Sequence, residues 1–361
     1  MTDQGDRLVM TPGPTALPPE VREAMARPIH NPDVEPAFTE FYRDLLEKLG
    51  EVYRTDDDPV ILAGEGMLGL EASVASLVAP DETVLCLSNG LFGAGFADLV
   101  ETHGGEAVLH EVPADEGFDV EAVEEAIETH DPAVATMVHC ETPTGVLNDL
   151  DGVLAALDEA GVLTVVDAVS SLGGTPVPTR GIDVCLGASQ KCLSSPPGLS
   201  ILSVSDDAWR KVAETEQDSF YASLEPWREL SFDDPPAPFP YTHSVSNLYA
   251  LEASIDRLLE EGVESAFERH EAAAARCRER GRELGLEPHP PEELASPTVT
   301  AFAVEGRAGE LQRRLAEDHG VVLSTGLGER ADDLLRVGHM GYNADERKVE
   351  RAMDALAAVL E

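Results

Sequence analysis

The stretch Leu163-Thr-Val-Val-Asp167-Ala-Val-Ser-Ser-Leu-Gly-Gly174 is followed by Lys191, 24 positions after the aspartate, in Gly187-Ala-Ser-Gln-Lys191-Cys-Leu-Ser-Ser-Pro-Pro-Gly198. The first phrase is an apolar strand that delivers a carboxylate at its C-terminal tip and then turns on small residues. Alone, such an Asp reads as well as a helix cap. The second phrase is a lone lysine just past another apolar run, with Ser, Gly and Pro on both sides. A solvated lysine does not need such neighbours; a lysine that something bulky must approach does. Taken by itself, the loop also fits a lysine neutralising nearby acid.

Working outward, apolar runs rich in β-branched residues recur at Pro59–Ala63, Thr83–Leu87, Ala107–Val112, Ala133–Cys140, Leu163–Asp167, Asp183–Ala188 and Leu199–Val204. Amphipathic stretches such as Leu68–Val78, Asp119–Thr129 and Leu150–Ala160 lie between them. Alternating β and α elements predict an α/β fold with a mostly parallel, seven-stranded sheet covered on both faces. Ligands then bind beyond the C-terminal strand ends. The Pro-rich stretch Phe232–Pro240 interrupts the pattern. A long helical region, Ser246 to Leu284, follows it. A smaller α/β unit comes next, with strands at Thr298–Val304, Val321–Ser324 and Leu335–Gly338 and a closing helix Ala344–Leu360. The expected division is an N-terminal segment 1–20, a large domain 21–255 and a small domain 256–361.

The chain has 361 residues, 25 basic against 69 acidic, a formal charge of −44. Nucleic acid and anionic membrane need basic footprints, so neither is an expected partner. The acid is spread over helix-like segments such as Asp115–Glu128 and Glu260–Glu283, which fits a protein solvated by acidic groups at high salt and points to a halophile. No apolar run is long enough for a transmembrane helix, and Met1–Arg7 has no signal-like apolar region, so the expected location is cytoplasmic. The five cysteines are odd in number and show no C-x-x-C spacing. Neither a metal site nor a disulfide framework is expected. Of the four lysines, Lys48, Lys211 and Lys348 sit beside other charges in helix-like stretches and read as surface residues. Lys191 does not.

Together, Asp167 and Lys191 suit a pyridoxal phosphate site, with the lysine as imine and the carboxylate on the ring nitrogen. The phrases V-D-A-V-S-S-L-G-G and S-Q-K-x-L-x-x-P-P-G, between Val166 and Gly198, resemble the class V pyridoxal-phosphate aminotransferases, on the branch of the alanine–glyoxylate and serine–pyruvate enzymes. The resemblance runs from T-P-G-P-T at Thr11–Thr15 to L-R-V-G-H-M-G at Leu335–Gly341. It implies fold type I of pyridoxal-phosphate enzymes, and a homodimer with shared active sites.

The resemblance also implies roles. Lys191 would carry the cofactor and move the proton of the reaction, and Asp167 would pair with the ring nitrogen. Gln190 would contact the phosphate. Phe92, in Asn89-Gly-Leu-Phe-Gly93, would stack on the ring, core packing being its other reading. Thr142, in His139-Cys-Glu-Thr-Pro-Thr-Gly-Val-Leu147, would meet the ring edge, or equally be a buried threonine bonded to backbone. Val169 would pack under the ring. In Gly64-Glu-Gly-Met-Leu-Gly-Leu-Glu71, the N–H groups of Gly66 and Met67 would take the phosphate at a helix N-terminus. Glu65 departs from the Ser or Thr of many relatives, and its carboxylate is expected to turn away. Tyr241 and Thr242, in Tyr-Thr-His-Ser-Val-Ser-Asn247, would complete the phosphate cup from the other subunit. Arg336 would grip the substrate carboxylate through its guanidinium fork, with a salt bridge to the abundant acid as the bland alternative.

The function this implies is transfer of an amino group from alanine or serine to glyoxylate or another small 2-oxo acid, by a ping-pong cycle. Phosphoserine, aspartate or aminoethylphosphonate as substrate is the nearest alternative. A pyridoxal-phosphate lyase or cysteine desulfurase is a more distant alternative; a desulfurase needs a reactive cysteine late in the chain, where Cys277 in an Arg-rich helix is all there is. Gly64-Glu-Gly-Met-Leu-Gly69 also matches the dinucleotide pattern G-x-G-x-x-G. That reading explains neither Lys191 nor Arg336.

Overall fold

The computed structural model describes residues 7–217 and 219–360. The first six residues of the expected N-terminal segment, and Glu361, lie outside the described residues. Seven strands form the main sheet: β1 (Asp58–Leu62), β2 (Thr83–Ser88), β3 (Glu106–Glu111), β4 (Val134–Val138), β5 (Leu163–Asp167), β6 (Val184–Ala188) and β7 (Ser200–Val204). Their order is β1-β7-β6-β5-β4-β2-β3, parallel except for β7, which is antiparallel to both neighbours. Every residue of β4, β6 and β7 is buried, which is why these runs are almost continuously apolar. The edge strand β3 is half exposed and carries charge.

Helices α1 (Pro36–Tyr53), α2 (Gly66–Leu77), α3 (Leu91–Thr102), α4 (Val120–His130), α5 (Asp151–Ala160) and α6 (Asp206–Glu214) accompany this sheet. Their limits follow from local chemistry. Asp119 accepts the Glu121 N–H ahead of α4, Ser205 accepts the Ala208 N–H ahead of α6, and Gly161 stops α5 at φ 72°. The helical region expected as one run from Ser246 is instead two helices, α7 (Val245–Glu261) and α8 (Val263–Glu283). The break is Gly262, at φ 87°, a left-handed conformation that a side chain would resist.

Beyond α8 lie β8 (Val299–Ala303), α9 (Ala308–His319), β9 (Ser324–Thr325), β10 (Leu334–Gly338) and α10 (Glu346–Leu360), with an antiparallel sheet β8-β10-β9. The run Val321–Ser324, expected as one strand, divides at buried Leu323. Val321–Val322 pairs in parallel with Leu8–Val9 near the N-terminus, and only Ser324–Thr325 joins β10. Two principal apolar cores result. The larger reaches Ala266 in α8, while the smaller takes Ala273 and Cys277 of that same helix together with Leu8 and Met10. Among the described residues no helix is long and apolar enough to cross a membrane.

The fold brings the C-terminal ends of β1, β2, β4, β5 and β6 to one edge of the sheet. The segments that follow these strands contain Glu65, Phe92, Thr142, Val169 and Lys191 respectively.

Candidate active site

A cavity of about 440 Å³ opens at that edge. It is lined by Gly66, Met67, Phe92, Thr142, Asp167, Val169, Gln190, Lys191 and Arg336, among others. Three surface clefts are larger, about 810, 770 and 470 Å³, and none contains any of these residues. Convergence of polar groups, rather than size, locates the site. Tyr241 and Thr242 do not line the cavity within the single chain. The Tyr241 hydroxyl accepts the N–H of Ala63 at 3.1 Å, and Thr242 is exposed.

Asp167 ends β5 and is buried. Its Oδ1 accepts the Val169 N–H at 2.8 Å, so one carboxylate oxygen remains for a ring N–H. Burial pushes the carboxyl up to about 6, with the Val169 bond and Lys191 opposing and Glu65 adding to the rise. Lys191 is half-buried, and its Nζ donates to the Pro12 carbonyl at 2.8 Å. Burial lowers its pKa; Asp167 works against this and Arg336 works with it. The N-terminal segment packs directly on this lysine. A Cβ on Gly13 would lie 2.5 Å from Lys191 Cδ, and Gly13 sits at φ 109°, so only glycine fits there. The preceding Gln190 lines the cavity, and its Oε1 is a buried polar atom with no hydrogen-bond partner among the described residues. Such an orphan marks a place where a ligand donor belongs.

Arg336 lies in β10 and reaches the site from the smaller unit. Its Nε donates to the Thr325 carbonyl at 2.7 Å, and one terminal nitrogen to the Thr142 carbonyl at 3.3 Å. Burial brings it down to about 10, which leaves it charged at neutral pH. No carboxylate bonds it among the described salt bridges, so the bland reading of a surface ion pair falls away. Thr142 lines the cavity, and its hydroxyl shares a hydrogen bond with Ser170.

Ring and phosphate ends fit pyridoxal phosphate unequally. At the ring end Asp167, Lys191, Phe92 and Val169 share one slot, which suits a protonated pyridine. At the other end Glu65 does not turn away as expected. It caps α2, its Oε1 accepting the Met67 N–H at 3.2 Å. The reason is local: the first turn of a helix leaves N–H groups unpaired and favours an acidic acceptor. The carboxylate thus occupies one of the two N–H groups expected to hold phosphate. Among residues lining the cavity the cations are Lys191 and Arg336.

Sequence reasoning missed Ser170, Leu327 and the Pro12 carbonyl, which also line the cavity. It also passed over Glu141, which sits beside Thr142 in a motif already singled out. Ser170 was within reach, since it stands in the aspartate phrase. A backbone carbonyl leaves no such trace.

A class V aminotransferase model matches residues 38–345. The pyridoxamine–pyruvate transaminase of Mesorhizobium japonicum is 34% identical, over 98% of this chain and 91% of that protein. The alanine–glyoxylate aminotransferase of Oryctolagus cuniculus is 32% identical, over 98% and 93%. The crystal structure of alanine–glyoxylate aminotransferase from Nostoc sp. superposes with a TM-score of 0.93 at 31% identity, covering 99% of this chain and 96% of that one. The chain therefore belongs to the class V aminotransferases: it is a transaminase, of a fold whose class V members use pyridoxal phosphate.

Proposed function

We propose that the protein takes an amino group from alanine or serine and gives it to glyoxylate or another small 2-oxo acid, in a ping-pong cycle. The observation that carries this is Arg336, the one cation besides Lys191 among the cavity-lining residues. It offers a fork to a single carboxylate. A second carboxylate or a phosphate on the substrate would meet Glu65 and Asp167 instead, which weighs against aspartate, phosphoserine and aminoethylphosphonate. Pyridoxal phosphate, when bound, supplies an electron sink for the charge left on the substrate Cα. Asp167 holds the proton on the ring nitrogen. Lys191, whose amine pKa is lowered by burial, takes the Cα proton and returns it. Phe92 and Val169 keep the ring in place, and Arg336 orients the substrate. A homodimer in which Tyr241 or Thr242 reaches the neighbouring site belongs to the same proposal.

The test is an absorption spectrum of the protein purified in high salt. Alanine should bleach the visible band of the lysine-bound cofactor, and glyoxylate should restore it. A protein that shows no visible band even after pyridoxal phosphate is supplied would remove Lys191 from its role.

A second reading is favoured by Glu65. With its carboxylate on the N–H group where phosphate would sit, the slot suits a ring without a phosphate. The donor would then be pyridoxamine itself, the partner a small 2-oxo acid at Arg336, and the ring would leave as product. The similarity to a pyridoxamine–pyruvate transaminase supports this reading. Protein stripped of bound ligand, mixed with pyridoxamine and pyruvate, distinguishes the two. Multiple turnovers to alanine favour the second reading; turnover only after pyridoxal phosphate is added favours the first.

A further inference from the structure

Glu141 is a buried carboxylate that no step above uses. It has no measurable exposure, and it follows β4 in the segment leading to Thr142. Its Oε1 accepts the N–H of Phe92 at 3.1 Å, and its Oε2 the N–H of Gly93 at 3.2 Å. Both N–H groups belong to the first turn of α3. That helix has Gly90 as its N-cap, with no side-chain cap bond of its own. Gly90 also makes room for the acceptor: a Cβ there would lie 2.4 Å from Glu141 Cγ and 2.6 Å from Cδ. The arrangement is costly for a mere cap. A Ser or Asp at position 90 would satisfy the same N–H groups from the surface, whereas burial pushes the Glu141 carboxyl up to about 7 against the pull of those two bonds.

What the long-range version achieves is a fixed relation between two walls of the ring slot. Phe92 and Thr142 both line the cavity, and Glu141 joins the backbone of the first to the chain neighbour of the second. We propose that Glu141 is a positioning residue of the ring site, holding the first turn of α3 so that Phe92 stands at stacking distance from a bound pyridine ring. This rests on the family assignment but on neither choice of substrate. It holds whether or not the ring carries a phosphate.

The experiment is a double-mutant cycle on ring binding, read by absorbance titration with pyridoxal and with pyridoxal phosphate. The variants are Glu141→Gln, Phe92→Leu and their combination. Glu141→Gln keeps the shape and replaces one acceptor by a donor that faces an N–H. It should weaken ring binding about tenfold while changing the KM for the 2-oxo acid little, tenfold corresponding to about 1.4 kcal/mol. Phe92→Leu should lose a similar factor, and the double variant should be no worse than the weaker single one. Glu141→Asp, shorter by one methylene, keeps the charge but cannot reach both N–H groups and should fall between. Thermal midpoints are read beside each titration. Losses that multiply in the double variant overturn the proposal, as does native ring binding in either Glu141 variant. A lowered midpoint with unchanged ring affinity would reduce Glu141 to a helix cap. If the Gln variant does not fold, the Asp variant alone decides: native affinity there overturns the inference.

Discussion

Replacing Glu65 by serine is the most informative single change in this molecule. Without the Glu65 carboxylate on the Met67 N–H, α2 should lose about 1 kcal/mol in the ligand-free protein. What changes is the charge at the helix N-terminus. A carboxylate and one unit of phosphate charge about 4 Å apart repel by about 4 kcal/mol at an effective dielectric of 20. Glu65 is exposed, and solvent screening cuts this to about 1–2 kcal/mol. To this is added the Met67 N–H, now taken by Glu65 at 3.2 Å, whose bond to a charged phosphate is worth about 1.5–3 kcal/mol. The sum is about 3 kcal/mol, or roughly a hundredfold in affinity. The assay is paired titration of wild type and Glu65→Ser with pyridoxal and pyridoxal phosphate, at one fixed salt concentration. The ratio of the two affinities should move about a hundredfold toward the phosphorylated ring, with pyridoxal itself unaffected. A ratio that stays within about threefold of wild type would refute the reasoning. It would mean that the Glu65 side chain swings clear and leaves the helix N-terminus to the phosphate.

Arg336→Lys should raise the KM for the 2-oxo acid at least about tenfold, with a smaller fall in kcat, because an ammonium gives up the two-pronged grip on a carboxylate. Steady-state kinetics against pyruvate and glyoxylate check this. In ligand-free protein Asp167→Asn should be stabilising at neutral pH although it abolishes turnover. The folded-state pKa, about 6, lies above the ordinary carboxylate value of 3.8, so the wild type is most stable below 3.8 and loses stability as pH rises through 6. Thermal midpoints at pH 4.5 and 7.5 should show the Asn variant gaining more on the wild type at the higher pH. Gly13→Ala should slow Lys191 chemistry without touching Arg336, since the new Cβ would lie 2.5–2.8 Å from the lysine side chain. The rate at which added pyridoxal generates the visible band reads it out. The surplus of 44 negative charges predicts partial unfolding on dilution from molar to millimolar salt, where the Debye length grows from about 3 Å to beyond 30 Å. Full stability in dilute buffer would dispose of the halophile proposal.

The inner strands of the main sheet were legible because burial on both faces leaves little but apolar side chains to choose from, and the half-exposed edge strand β3 kept enough alternation to be placed. Each observed strand falls within two residues of an apolar run. Elements governed by single backbone conformations were less legible. Gly262 looks like any glycine in a helical pattern, yet its φ of 87° ends one helix and starts another. The division of Val321–Ser324 depends on Leu8–Val9, more than 300 residues away in sequence, and no local pattern encodes that pairing. In the site, nine of the eleven expected residues share one cavity. Tyr241 and Thr242 are the two outside it, and their expected role is toward a second copy of the chain. Glu65 was recognised as out of place from its charge and from its departure from the Ser or Thr of relatives. Where its carboxylate would go was decided by the unpaired N–H groups of α2, which offered a closer partner than solvent.

Both cations of the cavity are held by backbone carbonyls rather than by carboxylates, and this bears on how the site works. Lys191 leans on Pro12, and Arg336 on Thr325 and Thr142. On the roles proposed for them, a carboxylate partner would compete with the substrate carboxylate for Arg336 and would hold the Lys191 proton too tightly for transfer. Carbonyls satisfy the donors and leave the charge unneutralised. The same contacts cross between the two cores. Pro12 belongs to a segment that continues from Met10 of the smaller core, and Met10 accepts the Gly338 N–H at the end of the strand bearing Arg336. Arg336 in turn reaches Thr142 beside the larger sheet. A shift of the smaller unit would therefore move Arg336 and the partner of Lys191 together.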